Sequence, residues 1–211
     1  MYIPKYFKMN EEKELFQFMN DYSFATVISM HEGVPTATQL PLVIDEDNRQ
    51  LYGHFARANG QWKDAENQEV LVLFQGPHAY ISPSWYESTQ AVPTWNYVAV
   101  HVYGTLKMME DANDVASALS DMVSVYESPT STYRLEEAGE DYLHGLQKGI
   151  VGFHISIERI EGKEKLSQNH SVDRQKRIVA ALEKQPYEDS HKIAERMKKK
   201  IQYNESKDRE R

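Results

Sequence analysis

Short turns between strand-like segments are the feature of this sequence that most restricts its fold. Residues 24–30, 34–44 and 50–55 are each rich in apolar and β-branched side chains. Glu32-Gly33 and the polar stretch 45–49 separate them, and an acidic residue followed by glycine is typical of a tight hairpin. Because strands joined by such short connections pair antiparallel, this part of the chain predicts an antiparallel sheet.

Three further strands are predicted beyond these hairpins. Residues 70–75 form an apolar run that Gly76-Pro77 is expected to end, whereas 95–108 and 150–160 alternate apolar and polar side chains. Helices are predicted at 10–20, 111–126, 172–183 and 190–202, with 56–68 helical after its start, a possible short helix in the second half of 128–149, and a loop at 161–169. The pattern favours a small antiparallel barrel with peripheral helices over a doubly wound parallel sheet.

The composition is that of a globular protein. Of the 211 residues, 40% are hydrophobic and none is cysteine, which excludes global disorder, disulfides, zinc–thiolate sites and a cysteine nucleophile. The net charge of −8 repels nucleic acid unless a local basic patch compensates for it. Since no apolar run approaches the ~20 residues that span a bilayer and residues 1–10 lack a signal-peptide core, we expect a cytoplasmic protein.

Familiar catalytic signatures are absent from the sequence. It has no dinucleotide-binding glycine fingerprint, no phosphate-binding P-loop and no G-x-S-x-G motif. The eight histidines are scattered, and no pair has the spacing of helical metal ligands. A metal site built from His54, His78 and His101 therefore has no support, and we expect none.

Polar residues are concentrated where the third predicted strand ends. Arg57, Asn59 and Gln61 occupy this junction between a strand and a predicted helix. A helix N-terminus offers unpaired N–H groups, and an arginine adds a bidentate fork, a combination that suits a phosphate. The alternative is that Arg57 is an ordinary surface residue and Asn59 only caps the helix.

Aromatic and hydroxyl side chains are interleaved in the segments 74–86 and 92–97. Aromatic rings beside hydrogen-bonding groups can hold a flat heteroaromatic ligand. The alternative is a loop that Trp85 and Trp95 pack onto the barrel, with its polar groups satisfied internally.

These segments, with others, resemble the PaiB family over nearly the whole chain, from residue 1 to about residue 182. The matching stretches are Pro4-Lys5-Tyr6-Phe7, 38–41, 54–62, 74–86, 92–104, 149–155, 162–169 and Asp173-Arg174 with the helix after it. The resemblance implies a mainly β (α+β) fold with peripheral helices, a six-stranded antiparallel split β-barrel of the FMN-binding, pyridoxamine 5′-phosphate oxidase-like type. It also implies a homodimer with FMN at the subunit interface and a role as a negative transcriptional regulator of protease synthesis and sporulation.

The resemblance implies four groups of cofactor-binding residues. The group near the FMN phosphate is His54, Arg57, Asn59, Gln61 and Trp62. The group along the isoalloxazine ring or ribityl chain is Thr38, Gln39 and Leu40. The residues that would reach the flavin from the partner subunit are Gln75, Trp95, Asn96 and Tyr97. The C-terminal motif is Lys163, Lys165, Ser167, Gln168 and Asn169; it would close over the flavin or an anionic second ligand, or act only as a structural clamp on the dimer.

Two positions depart from the family pattern. Gln39 stands where relatives often have histidine, and an amide cannot titrate near neutral pH, so a family role that needs an imidazole is in doubt here. Gly60 stands where relatives often carry a longer side chain, and we expect it to loosen the turn without removing phosphate contacts.

Two functional classes, regulator and enzyme, remain open from the sequence. The first is the flavin-binding regulator, and the alternative is a flavin-dependent oxidoreductase whose regulatory effect is indirect, with Tyr80, His78 and His101 as the nearest acid–base candidates. Haem or another flavin in place of FMN, and an empty barrel that only scaffolds a partner, are further alternatives.

We expect a split-barrel domain at 1–170 and a helical extension with a basic tail at 171–211. The run Lys198-Lys199-Lys200 in that tail is the one candidate for contact with DNA. The alternative is that this run is a solvated, frayed helix end.

Overall fold

The computed structural model describes residues 1–87 and 90–209, apart from the side chains of 136, 140, 141, 144 and 207–209. The chain forms two compact units. The larger unit consists of Lys13–Phe74 and Val100–Ile160. The smaller unit consists of Met1–Glu12, Gln75–Ala99 and the described residues from Glu161 onward.

Seven strands form one sheet. They are β1 (Phe24–His31), β2 (Val34–Pro41), β3 (Val43–Asp45), β4 (Gln50–Ala56), β5 (Glu69–Ile81), β6 (Thr94–Met108) and β7 (Ile150–Lys165), in the order β2-β1-β5-β6-β7-β4-β3. The helices are α1 (Glu12–Asp21), α2 (Trp62–Ala65), α3 (Ala112–Tyr126), α4 (Glu140–Lys148), α5 (Val172–Leu182) and α6 (Glu188–Arg209). The pairs β1–β2, β1–β5, β3–β4 and β4–β7 are all antiparallel, so the predicted fold class is confirmed.

The predicted number of six strands is wrong, because the segment 34–44 is interrupted. Pro41 has no N–H group to continue a ladder, and the next amide, that of Leu42, donates to the carbonyl of Ser23 at 2.9 Å. Leu42 is fully buried, and pairing resumes one residue later in β3.

The β1–β2 hairpin confirms the predicted turn at Glu32-Gly33. Both residues have left-handed backbones, with φ of 52° and 75°, as a two-residue turn of this type requires. The Asp64 carboxylate accepts hydrogen bonds from the Glu32 amide at 2.9 Å and from Nδ1 of His31 at 2.8 Å. The hairpin tip is thereby held to α2.

Three predicted boundaries differ from the structure. β5 runs through Gly76-Pro77 without a break, since Pro77 adopts an extended backbone and both residues are buried. β7 continues through the predicted loop as far as Lys165. The predicted helix at 56–68 is reduced to the single turn of α2.

Large apolar side chains fill each unit separately. In the larger unit, Phe55 and Phe153 lie across the β4–β7 pair with ring centroids 4.7 Å apart, and both are almost fully buried. In the smaller unit, α5 and α6 pack together and bury Ile178, Leu182 and Met197. None of the helices among the described residues has the length and apolar content needed to cross a membrane.

Candidate functional site

The loop that follows β4 is organised around a buried glutamine in the larger unit. Gln61 has no exposed surface, and its Nε2 donates to the carbonyls of Val27 and Thr36 and to Oγ of Ser29, at 2.9–3.2 Å. Its Oε1 accepts from Oγ1 of Thr38 at 2.5 Å. Gln61 therefore ties the loop to β1 and β2, and its polar atoms are occupied by the protein itself.

Asn59 and Thr38, two of the predicted phosphate and flavin residues, join the same network. Nδ2 of Asn59 donates to Oγ1 of Thr38 at 2.8 Å, and Oδ1 of Asn59 accepts from the backbone N–H of Gln61 at 3.0 Å. On the same strand, Gln39 is exposed and Leu40 is buried. The fold thus brings Thr38, Asn59 and Gln61 together and turns Gln39 towards solvent.

The guanidinium of Arg57 is held in a fixed orientation. Its Nε donates to the Lys148 carbonyl at 2.7 Å, and its Nη2 donates to the Ile150 carbonyl at 2.6 Å. The backbone carbonyl of Arg57 in turn accepts from Nε1 of Trp62 at 3.0 Å. Because α2 has only one turn, little helix dipole is available beside Arg57, and the Nη1 amino group is the part of the fork left for a ligand.

Gly60 lies against the imidazole of His31. A Cβ atom at this position would lie 2.8 Å from Nε2 of His31. Since real Cβ atoms do not come that close to a ring nitrogen, the absence of a side chain at Gly60 is what allows His31 to reach Asp64.

His54 does not join the hydrogen-bonded network of Thr38, Asn59 and Gln61. It stands on β4 opposite Gly152 of β7, and it lines a cavity with residues of α3 and α4. Burial lowers the pKa of its imidazole. The strand alternation explains this placement, because the neighbouring positions Gly53 and Phe55 are both buried.

A second set of predicted residues lines a cavity of about 470 Å³ in the smaller unit. Lys165, Ser167 and Asn169 contribute to its wall, as the resemblance implied for part of the C-terminal motif. Nζ of Lys165 donates to Oγ1 of Thr94. Ser167 has a left-handed backbone, with φ of 64°, a conformation that is uncommon for residues other than glycine.

The same cavity contains three residues for which the sequence did not predict a ligand-binding role: Tyr86, His170 and Arg174. The Arg174 guanidinium stacks over the Tyr86 ring at 4.8 Å and pairs with Glu87 at 2.8 Å. Burial and the charge of Arg174 lower the pKa of His170. The Lys165 amine and the Arg174 guanidinium, whose charge Glu87 partly offsets, line this cavity with an aromatic ring, which suits an anion with a planar group.

Lys165 bears a positive charge that its surroundings disfavour. Burial, and then the charge of Lys163, lower the pKa of the Lys165 amine. We therefore expect Lys163→Gln to raise the pKa of Lys165, because a neighbouring like charge is removed. The measurement is a pH titration of the lysine Cε signals by NMR, with Lys107→Gln on β6, exposed in the larger unit, as the control. An unchanged or lower pKa in the Lys163 variant would contradict this electrostatic interpretation.

The remaining residues of the C-terminal motif have structural partners. Nζ of Lys163 donates to the Tyr2 carbonyl at 3.0 Å and lies 5.1 Å from the ring centroid of Tyr97. Gln168 accepts from the Leu166 amide at 2.7 Å and donates to the Glu164 carbonyl. The motif is therefore divided between a cavity wall and a clamp within the chain.

The predicted partner-facing residues of β5 and β6 also differ from one another. Trp95 is 51% exposed and packs edge-on against Tyr80, and Gln75 is exposed. Asn96, by contrast, is fully buried; it accepts from Oγ of Ser167 at 3.1 Å and donates to Sδ of Met197. Trp95 and Gln75 are therefore accessible to a second molecule, Tyr97 is half-buried, and Asn96 is not accessible.

The cations of the basic tail are paired with carboxylates. The pairs are Lys192–Glu188, Lys198–Glu183, Lys199–Glu195 and Lys200–Glu164. The side chains of Lys207 and Arg209, and Arg211 as a whole, lie outside the described residues. The run 198–200 is thus part of α6 and does not present unpaired charge.

Three histidine, aspartate or glutamate side chains that could together hold a metal ion do not occur among the described residues. His54 and His101 belong to the larger unit, and His78 belongs to the smaller one.

Comparison with protein families identifies the class of this chain. Residues 1–159 match the family model FMN_bind_2, described as "Putative FMN-binding domain". Since the match covers most of the chain, the chain belongs to this FMN-binding domain family.

Individual relatives extend this result. The chain is 42% identical over 205 residues to "Protease synthase and sporulation protein PAI 2" of Bacillus subtilis, covering 95% of this chain and 98% of that protein. It is also 31% identical over 188 residues to the "Uncharacterized protein AFUA_5G13800" of Aspergillus fumigatus, covering 71% and 72% of the two chains. The resemblance to the PaiB family is therefore confirmed.

Solved structures share the fold at low sequence identity. The flavocytochrome Anf3 from Azotobacter vinelandii matches with a TM-score of 0.62 and 18% identity, covering 77% of this chain and 72% of that one. The "FAD and Heme binding protein" from Mycobacterium smegmatis matches with a TM-score of 0.57 and 14% identity, covering 82% and 79%. At this identity the likeness concerns the fold alone, and it supports the split-barrel class.

Proposed function

We propose that this protein is an FMN-binding negative transcriptional regulator that acts on protease synthesis and sporulation. The observation that carries the proposal is the 42% identity to the B. subtilis protein PAI 2 over 95% of this chain. Membership of an FMN-binding domain family supports FMN as the cofactor.

The FMN phosphate is proposed to bind at Arg57. The two bonds from Arg57 to backbone carbonyls keep the guanidinium in place before a ligand arrives, which lowers the entropic cost of binding. The exposed side chain presents Nη1 as a charged donor, a chemistry that fits a phosphate. Bound FMN supplies an isoalloxazine ring that can accept or donate a hydride.

The proposed assembly is a homodimer with FMN at its interface. The exposed surface of Trp95 and Gln75 supports a contact of these residues with a flavin held by the second subunit. The cationic cavity around Lys165 is proposed to take an anionic second ligand. Sedimentation equilibrium tests the dimer, and a monomer at micromolar concentration, with and without FMN, would exclude it.

Replacing Arg57 with alanine is expected to weaken FMN binding about 10- to 100-fold, the effect of losing one charge-assisted hydrogen bond. Riboflavin, which has no phosphate, distinguishes this role from a structural one. Loss of the phosphate contact reduces FMN affinity much more than riboflavin affinity, whereas damage to the loop weakens both equally.

The measurement for Arg57 is fluorescence quenching of each flavin by wild type, by Arg57→Ala and by a control, Lys107→Ala, which removes an exposed cation from β6. An unchanged ratio of FMN to riboflavin affinity in Arg57→Ala would exclude Arg57 as the phosphate contact. Failure of the wild type to bind either flavin would exclude the cofactor.

The ion pairs along α6 favour an indirect route of regulation. Because Lys198, Lys199 and Lys200 are paired with carboxylates, this run offers little unpaired charge for phosphate neutralisation. The second candidate function is accordingly a flavin-dependent oxidoreductase whose product affects transcription.

Two assays separate these routes. Binding to duplex DNA whose affinity falls steeply between 50 and 200 mM salt supports direct contact, because counterions are released when cations neutralise phosphates. Contact with several phosphates is expected to lower the affinity about 10³-fold over this range. Anaerobic bleaching of the bound flavin by a nicotinamide donor supports the enzyme. If the flavin is not bleached and the protein binds DNA, the protein regulates transcription directly.

A further inference from the structure

A concave apolar cavity of about 540 Å³ lies in the larger unit, between α3, α4 and the strands β4 and β7. This volume falls within the range of small-molecule sites. No charged side chain is present among the described residues that line it. A phosphate would be left there without a counter-charge, so the cavity is not suited to FMN.

Both helices direct a regular apolar face towards the cavity. From α3 come Ala116, Leu119 and Val123, and from α4 come Leu143 and Leu146. Their spacings of three and four residues place each set on one side of its helix. Nevertheless, α3 has no fully buried residue, so the chain itself does not complete the packing of this face.

His54 is the polar group in the wall of this cavity that is suited to anchor a ligand. Its ring makes no hydrogen bond to any residue that the structure describes. Burial lowers the pKa of the imidazole, and the neutral ring offers one donor and one acceptor. A largely apolar pocket with a few polar groups is the usual design of a small-molecule site, and Ser117, Ser120 and Gln147 also line this one.

We propose that this cavity binds a neutral, largely apolar small molecule that fills the space between α3 and α4 and forms one hydrogen bond with His54. The ligand differs from FMN in being uncharged, since no charged side chain lines the cavity among the described residues. The proposed flavin contact at Arg57 adjoins the site, because Ile150, whose carbonyl accepts from Arg57, lies in the cavity wall. Its chemical class is an aromatic or alicyclic compound with a single N–H, hydroxyl or carbonyl group.

Indole and indene are matched probes for this site. The two have nearly the same shape, but only indole has an N–H group that the imidazole can accept. Titration calorimetry with the full chain, with and without saturating FMN, is expected to show that indole binds and that added FMN does not displace it. Indene is expected to bind about two- to tenfold more weakly, the effect of one neutral hydrogen bond.

Two substitutions test the location, and a third tests the hydrogen bond. Ala116→Trp places a large side chain in the cavity and is expected to weaken indole binding at least about tenfold, as a filled site excludes its ligand. Ala112→Trp puts the same residue at an exposed position of the same helix and should leave binding unchanged. His54→Phe keeps an aromatic ring but removes the nitrogen atoms of the imidazole, and it is expected to remove the preference for indole over indene.

Three results would overturn the proposal. The first is that the wild type does not bind indole at the solubility limit of indole, as expected if a second copy of the chain covers the cavity. The second is equal affinity in Ala116→Trp and Ala112→Trp. The third is an indole preference that persists in His54→Phe. If the protein does not bind flavin, only the proposed function is contradicted. The indole site is still tested, because indole binding is also measured without FMN.

Discussion

The Gln61→Leu variant is expected to unfold with a free energy about 3–5 kcal/mol below that of the wild type, the range for a disrupted buried hydrogen-bond network. Leucine has a similar volume but no polar atoms. Its introduction leaves the carbonyls of Val27 and Thr36 without the donor that they have in the native protein. Buried acceptors without a partner carry the full desolvation penalty.

Urea denaturation followed by circular dichroism measures this difference. Gln39→Leu is the matched control, because the same change is made on β2 at an exposed position, where we expect an effect within about 0.5 kcal/mol. A loss below about 1 kcal/mol for Gln61→Leu, the net value of a single hydrogen bond, would show that the network does not stabilise the hairpin.

The second large effect is expected at Gly104, in the middle of β6. A Cβ atom there would lie 2.2 Å from the backbone carbonyl oxygen of Ser156 and 2.9 Å from Cγ2 of Ile155. A backbone atom in a strand cannot move aside without disturbing its ladder. Gly104→Ala is therefore expected to cost about 3 kcal/mol or more, at the upper end of the range for overpacking.

Gly145→Ala on α4 is the control for this substitution. Nothing lies within 4 Å of a Cβ atom at that position, and alanine is the better helix former by about 1 kcal/mol. The two alanine variants should consequently shift the midpoint of unfolding in opposite directions. Equal shifts would mean that the approach of β6 to Ser156 is not tight in solution.

Local rules predicted the strands and the first hairpin because they depend on short-range chemistry. Glu32-Gly33 has the residues that left-handed turn positions need, and β6 shows a regular alternation over its length. The break in β5 was wrongly predicted at Gly76-Pro77, since burial of both residues in a long strand depends on neighbours distant in sequence. Strand length and the number of strands are therefore less accessible from sequence.

The candidate site was predictable in its residue types but not in their roles. Gln61 was predicted to contact a ligand, yet its side-chain amide donates hydrogen bonds to Val27, Ser29 and Thr36. Only the fold brings these residues together. His54 is close to Arg57 in sequence, but strand alternation directs its side chain to the cavity between α3 and α4. Arg174 lay within a matching stretch, and its stacking on Tyr86 could not be read from spacing.

The close approach of Gly60 to His31 has a consequence for how this protein can change during evolution. A side chain at position 60 would meet the imidazole of residue 31 in its present place, so it requires either that the imidazole shift away from Asp64 or that residue 31 be smaller. Loss of that imidazole also removes one of the bonds to Asp64. Positions 31 and 60, which are far apart in sequence, are thus expected to covary among relatives.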